Sequence, residues 1–158
     1  MKINVIIPSF YPAVIYGGPI FTSLHTVEEL SKLNIEIWVS TTNANMNTRL
    51  NIKSNIWHNY AENLHIKYYN ETIINKISFS LLFKLWQDIR SCEIIHIQGL
   101  FSTPTPIALF YSKLFNKKVI LTPHGTLGTW CLKEGSKFKN LLSIFFHSKI
   151  DQFSSFIR

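Results

Sequence analysis

Acidic side chains are scarce: nine Asp and Glu stand against sixteen Lys and Arg. Few of those acids fall near the carboxyl end of any candidate strand, so the paired carboxylates of a glycoside hydrolase are missing. Cysteine is scarcer still. Cys92 and Cys131 have neither metal nor redox spacing, which leaves no disulfide framework and fits a reducing cytosol. There is no run of about 18 apolar residues, so nothing reads as a membrane span. The apolar stretch in the opening MKINVIIPSFYP is too short for a signal peptide. The few glycines follow neither the G-x-G-x-x-G nor the Walker A pattern, and the missing dinucleotide fingerprint argues against a nicotinamide-dependent reductase. No Ser-His-Asp order or Cys-His pair stands out, and Ser9 and Ser102 lack a nucleophile elbow. The basic residues are not interleaved with aromatics, and no helix-turn-helix or RNP-like stretch is visible, so no nucleic-acid partner is expected.

What remains is a foldable chain. At 46% apolar and 16% charged it is not disordered, and its length suits one domain, 1–158, burying roughly 70% of its unfolded surface. The charge is uneven. Residues 1–112 carry eight Lys and Arg against seven acids, whereas residues 113–158 carry eight against two. A basic tail third suits an anionic partner, either a phosphorylated substrate or an anionic membrane surface; a solvated basic face is the plainer alternative.

Hydrophobic periodicity alternates between strand and helix. Lys2 to Pro8 reads as a strand buried on both faces, with Pro8 ending it. A loop rich in Pro, Tyr and Gly follows, to Pro19. Ile20, Phe21, Leu24, Val27, Leu30 and Leu33 mark a helix, with Glu28 and Lys32 as an i,i+4 pair and Asn34 closing it. Ile35 to Ser40 is a second strand. Residues 41–63 are Asn-rich, lack periodicity and read as a loop or irregular insertion. Leu64 to Tyr69 is a third strand, 77–90 a helix, Glu93 to Gln98 a fourth strand. Ser102 is placed to cap the next helix, with Pro104 in its first turn; that helix runs to Phe115, and Asn116 stops it. Lys118 to Thr122 is a fifth strand. A basic amphipathic helix is expected from about Ser136, with Phe138, Leu141, Leu142, Phe145 and Phe146 on its apolar side. It suits a membrane surface, or a core helix with a solvated lysine edge. The alternation predicts an α/β fold with a doubly wound, Rossmann-like parallel sheet.

In such a sheet, ligands meet the turns that leave the carboxyl ends of the strands. Three turns carry polar chemistry. In Tyr16-Gly17-Gly18-Pro19, two glycines ahead of a helix let the backbone approach a phosphate; an ordinary tight turn is the alternative. In Pro123-His124-Gly125-Thr126, an imidazole, a flexible glycine and a hydroxyl follow the fifth strand. His124 there can bind a sugar hydroxyl or phosphate, act as acid or base, or simply cap the loop. His96 and Gln98 alternate onto one face of the fourth strand. A metal site from His96 and His124 lacks any third ligand at suitable spacing, so no metal is expected.

Taken in order, these pieces resemble the N-terminal half of a GT-B glycosyltransferase, and most closely the retaining family 4-like N-terminal domain. Tyr11-Pro12 followed by Gly17-Gly18-Pro19 resembles that family's opening loop. Ile95-His96-Ile97-Gln98-Gly99-Leu100-Phe101-Ser102 resembles its His-x-His-Gly-Leu-Trp stretch, with Gln98 in place of the second histidine. Pro123-His124-Gly125-Thr126-Leu127, with Trp130, Leu132, Lys137 and Lys139 beyond it, resembles its Pro-His-Gly stretch. The resemblance covers nearly the whole chain. It implies transfer of a hexosyl unit, with retention, from a UDP- or GDP-linked sugar to a saccharide or glycolipid acceptor in surface-polysaccharide assembly. The nucleotide-sugar is a co-substrate and no cofactor or metal is needed. It further implies that Gly17, Gly18, Gly125 and Thr126 lie on the donor side, that His124 meets the donor sugar near the reacting carbon, and that His96 and Gln98 line the acceptor side. The family's second, nucleotide-binding half carries a Glu-x7-Glu stretch without counterpart in these 158 residues. The chain is therefore expected to be a C-terminally incomplete piece, inactive alone, and cytoplasmic with peripheral contact on the inner membrane face. The alternative is a degenerate sugar- or membrane-binding module.

Overall fold

The structure is a computed structural model that describes residues 1–73 and 77–124. In chain order these form β1 (Lys2–Ser9), a 3-10 turn (Val14–Tyr16), α1 (Gly18–Lys32), β2 (Glu36–Thr42), β3 (Ala44–Asn45), β4 (Thr48–Arg49), β5 (Trp57–Ala61), β6 (Leu64–Tyr69), α2 (Phe79–Arg90), β7 (Ile94–Gln98), α3 (Pro104–Leu114) and β8 (Lys118–Thr122). Met1–Thr122 make one compact unit. Pro123 opens a second, of which Pro123 and His124 are described. The expected basic helix from Ser136, with Gly125, Thr126 and Cys131, lies outside the described residues. No helix among those described is long and apolar enough to cross a membrane.

The apolar run of β1 needs cover on both faces, and the architecture supplies it. Ile3, Val5 and Ile7 join Leu24 and Val27 of α1 in one core, together with Ile37, Val39, Leu64 and Ile66. Ile6 points the other way, into a second core with Leu81, Leu85 and Ile89 of α2, Ala108 of α3, and Ile95 and Ile97. Helices therefore cover both faces of a six-stranded sheet ordered β5-β6-β2-β1-β7-β8. The five strands β6, β2, β1, β7 and β8 pair in parallel, while β5 joins the edge antiparallel to β6. Counted along the chain, the parallel strands stand in the order third, second, first, fourth, fifth, the arrangement of a Rossmann-like sheet. The fold is thus α/β with a mostly parallel sheet.

Several local expectations are corrected. Residues 41–63 are not simply a loop: they hold the β3–β4 hairpin and the antiparallel strand β5. Pro8 does not end β1. The strand runs on to Ser9, and the register against β2 slips between Ile6 and Ser9; an irregularity of that kind accommodates a residue with no N–H to donate. Lys32 pairs with Glu29 at 2.6 Å rather than with Glu28, whose carboxylate faces His25 and the Tyr60 hydroxyl. Ser102 does not cap α3. Its hydroxyl bonds the Gly99 carbonyl and the Thr105 hydroxyl instead, and Thr103 holds the cap position without a side-chain bond. The cap that does form is Ser78, which accepts from the Leu81 N–H at the start of α2. Asn34 and Asn116 stop α1 and α3 with left-handed φ of 57° and 51°, a conformation Asn tolerates better than most residues.

One polar cluster sits inside the second core. Asp88 of α2 accepts from Lys67 Nζ at 2.7 Å, from the Tyr69 hydroxyl at 2.6 Å and from the Ser40 hydroxyl at 2.9 Å. Ser40 Oγ accepts from Asn4 Nδ2 at 3.0 Å. The two charged side chains are 10% and 4% exposed, so removing either would strand the other in a low-dielectric interior. Lys67 also lies over the Trp57 ring at 4.6 Å. The cluster pins α2 to β2 and β6. Asp88→Ala is expected to cost about 3–5 kcal/mol in urea unfolding, and Lys67→Met with Asp88→Leu together to recover most of it. A loss under about 1 kcal/mol for the single change would show that the pair is hydrated, not buried.

Candidate functional site

Strand order reverses at β1: β2 lies on one side of it and β7 on the other. The chain leaving β1 enters α1 on one face, and the chain leaving β7 enters α3 on the opposite face. A crevice at that reversal, outside the carboxyl ends of the strands, is where open α/β sheets take ligands. The glycine turn and the end of β7 both fall there.

The chain leaves β1 through buried Phe10 and Ala13 and a cis Tyr11-Pro12 bond, then reaches Gly17. Gly17 has φ 74° and ψ −144°, a backbone region nearly closed to other residues. It opens α1, whose first turn holds Pro19 and no acidic side chain. A β-carbon added at Gly17 or at Gly18 would meet no atom within 4 Å. The two glycines therefore border open space, at a helix end whose dipole favours anions. Gly17 is demanded by its φ; no contact demands Gly18.

Gln98 ends β7 and is 2% exposed. Its Oε1 faces the Ser23 hydroxyl in hydrogen-bond contact, and Ser23 Oγ lies 2.6 Å from the Pro19 carbonyl. Gln98 thus holds the first turns of α1 against β7 and positions the glycine turn from beneath. His96, two residues back, is half-buried, with Nε2 2.8 Å from Thr122 Oγ1 of β8. The Gly99 N–H donates to the Thr122 carbonyl at 2.9 Å, so the carboxyl ends of β7 and β8 are stitched together. Gly99 takes φ 92°, which frees the chain to turn sharply toward α3.

His124 follows β8 by two residues and takes a left-handed φ of 47°. Partial burial holds its imidazole below its ordinary pKa, because desolvation disfavours the cation. At neutral pH it is a neutral ring with one donor and one acceptor nitrogen. The structure brings Gly17, Gly18 and Gln98 together through α1, and His96 together with the end of β8. Gly125 and Thr126 lie outside the described residues. No group of three or more His, Cys, Asp or Glu suited to a metal occurs among the described residues.

Sequence reasoning passed over a second polar cluster at the same sheet edge. Asn43, directly after β2, is buried. Its Oδ1 accepts from the Glu71 N–H at 2.7 Å, its carbonyl accepts from the Leu50 N–H at 2.8 Å, and its Nδ2 faces Ser54 and Asn70 at 3.2 Å. The Met46 N–H donates to the Tyr16 hydroxyl at 2.6 Å, tying the β3–β4 hairpin to the glycine turn. Two-residue strands carry no periodicity, so the only available signal was the density of Asn itself.

Neither the protein-family models nor the curated proteins contain a match to this chain.

The two glycines separate in an unfolding experiment. Gly17→Ala is expected to cost about 1–3 kcal/mol, because the strain lies in the backbone. Gly18→Ala is expected to stay within about 0.5–1 kcal/mol of the parent. Equal losses would mean that the turn is not held as described. His124 is expected to titrate by NMR below about 6.5, its ordinary value. Its contribution to stability is then complete above that pH and declines as the pH falls from there to the folded-state pKa. A midpoint above the ordinary value would reverse the sign.

Proposed function

We propose that this chain is the acceptor-side domain of a retaining, GT-B-type glycosyltransferase that uses a UDP- or GDP-linked hexose. The observation that carries the reading is the open space in front of Gly17 and Gly18 at the start of α1, at the point where strand order reverses. A diphosphate is the anion that this arrangement suits: backbone without side chains for close approach, a helix end of positive potential, and no carboxylate in the first turn. The ordered motifs of the opening loop, of His96 to Ser102 and of Pro123 to Leu127 agree with it in kind and in sequence.

In this mechanism the chain's own groups act by position and by charge. As the bond from the anomeric carbon to the diphosphate breaks, negative charge grows on the leaving oxygens. The amide groups and dipole of α1 are already oriented toward it, so they stabilise the transition state more than the ground state. Gln98 and Ser23 keep that helix end in place. A neutral His124 can accept a hydrogen bond from a sugar hydroxyl, or donate one, at the reacting end without bringing a competing cation. Gly125 and Thr126 follow His124 in the sequence and are assigned to the donor side. His96, held by Thr122, is assigned to the acceptor side. A second, nucleotide-binding half supplies the remaining contacts to the base. The acceptor is a saccharide or glycolipid, which agrees with a cytoplasmic protein working at the inner membrane face.

Titrating the isotope-labelled chain with UDP and with GDP is expected to shift the amide resonances of Gly17, Gly18 and residues 20–22. Gly18→Ala should weaken that binding about tenfold or more, with unfolding stability within about 1 kcal/mol of the parent. If neither nucleotide moves these resonances, or if Gly18→Ala binds as well as the parent, the diphosphate assignment fails.

A further inference from the structure

We propose that the outer face of the α2–α3 helix layer is a contact surface for an anionic lipid bilayer. The contact rests on the chemistry of that face alone; that it brings a lipid-borne acceptor to the chain rests on the transferase reading above. α2 and α3 pack side by side over the second core. Their buried stripes include Leu81, Leu85 and Ile89 on α2, and Ala108 and Ser112 on α3. Phe83 stands two positions before Leu85, and Phe110 two after Ala108, about 200° round their helices from those core residues. Both rings therefore stand on the backs of their helices, turned away from the core. Exposure agrees: 73% for Phe83 and 61% for Phe110, with Leu114 at 62% and Phe79 at 47%. Folding buries little of any of the four, and apolar side chains grouped on one face mark an interaction surface.

Charge selects what the face meets. Lys84 and Arg90 are exposed on α2, and Lys113 on α3. None of the three is ion-paired to an acid among the described residues. From Thr72 to Thr122 the chain holds two acids, Asp88 and Glu93. Asp88 is buried in its cluster, and Glu93 accepts from the Lys2 N–H at the amino end of the sheet. The face is thus apolar and cationic, with no exposed carboxylate from either helix to offset it. A second copy would bring the same cations against it, and like charges oppose that pairing. Lipid phosphates offer the complement. The apolar groups also suit a bilayer better than a folded acidic partner. Phe83 and Phe110 protrude from convex helix backs, and a protein would have to bring a pocket for each. A fluid interface opens around such rings, which settle between headgroups and acyl chains while neighbouring lysines stay at the phosphates.

The topology relates this face to the site. Each of the two helices joins parallel strands and runs back against them, so both begin at the carboxyl edge of the sheet. That edge carries the glycine turn and the end of β7. A chain lying on a bilayer by its α2–α3 face keeps that edge clear at its side, where a lipid headgroup can reach it. α1 covers the opposite face of the sheet and points away from the bilayer.

The test is flotation of the chain with vesicles of phosphatidylcholine alone and of phosphatidylcholine mixed with phosphatidylglycerol. Binding is expected to the mixed vesicles only, and to weaken as salt is raised. Phe83→Ser with Phe110→Ser should weaken it about tenfold or more, and Lys84→Gln with Lys113→Gln should remove the preference for phosphatidylglycerol. All four positions are exposed, and thermal melts matching the parent's establish that the variants fold. In the parent itself, a nitroxide-bearing lipid should broaden the amide resonances of α2 and α3 before those of α1. The proposal is overturned if the mixed vesicles do not bind, if both vesicle types bind equally, if the folded phenylalanine variant binds as the parent does, or if α1 broadens as much as α2 and α3. Capture by polyglutamate without vesicle binding assigns the face to an acidic protein, and a dimer that the phenylalanine changes dissolve assigns it to a second copy; each overturns the proposal. Shifts by UDP or GDP at the glycine turn without vesicle binding sink the membrane face and leave the donor assignment standing. The reverse pattern upholds the membrane face and removes its part in presenting an acceptor.

Discussion

β1 is hemmed in on every side. Parallel neighbours flank it, α1 covers one face, and α2 and α3 cover the other. A strand so placed has no freedom to shift, because a slip of one residue would exchange Ile6 with Ile7 between two cores of different shape. Its carboxyl end is consequently a firm point from which to hang a turn. The chain must leave that point for one face while the chain leaving β7 departs for the other. The gap between them is a result of topology rather than of any particular side chain. Side chains then refine it: Gln98 and Ser23 fix the helix that borders the gap, and Asn43 fixes the hairpin beside it.

The buried Asp88 cluster serves that rigidity from a distance. Parallel sheets are usually covered by apolar helix faces alone, and an ion pair there is no guarantee of extra stability. Its effect is directional. Lys67, Tyr69 and Ser40 reach Asp88 from two adjacent strands, so α2 has one rotation and one axial position in which all three bonds form. A wholly apolar interface would tolerate small slides. Holding α2 also holds the end of β6, and with it the Asn70–Glu71 segment that bonds Asn43.

Much of this was legible in the sequence, and the reasons differ by region. Strands such as Leu64–Tyr69 and Lys118–Thr122 were read with their observed limits, because each lies between clear breakers and carries β-branched or aromatic side chains. The helices were legible by periodicity, and their ends by Asn34 and Asn116. The hairpin and β5 were not. β5 reads Trp-His-Asn-Tyr-Ala, an edge strand with weak alternation, and what makes it a strand is the partner β6 rather than its own pattern. Ser102 misled for a related reason. Its hydroxyl was free to cap a helix or to bond a nearby carbonyl, and the left-handed turn at Gly99 brought the carbonyl closer. At the site, the glycine turn could be found from composition, but the Arg49–Glu71 pair could not. Arg49 and Glu71 are 22 positions apart, and the buried Asn43 helps bring their segments together.

Gly17 and Gly18 look alike in a sequence, yet the forces that hold them there differ. Gly17 answers to the backbone, and any descendant that still folds must keep it or absorb the strain. Gly18 has an ordinary conformation and empty space before it, so folding places no claim on it. Over evolutionary time the pair becomes a record of use. In a lineage that still binds a ligand against the turn, both positions stay fixed. In one that has lost the ligand and kept only the domain, the second glycine drifts to alanine or serine while the first does not. The order in which two adjacent, chemically identical residues decay therefore tells a working domain from a relic.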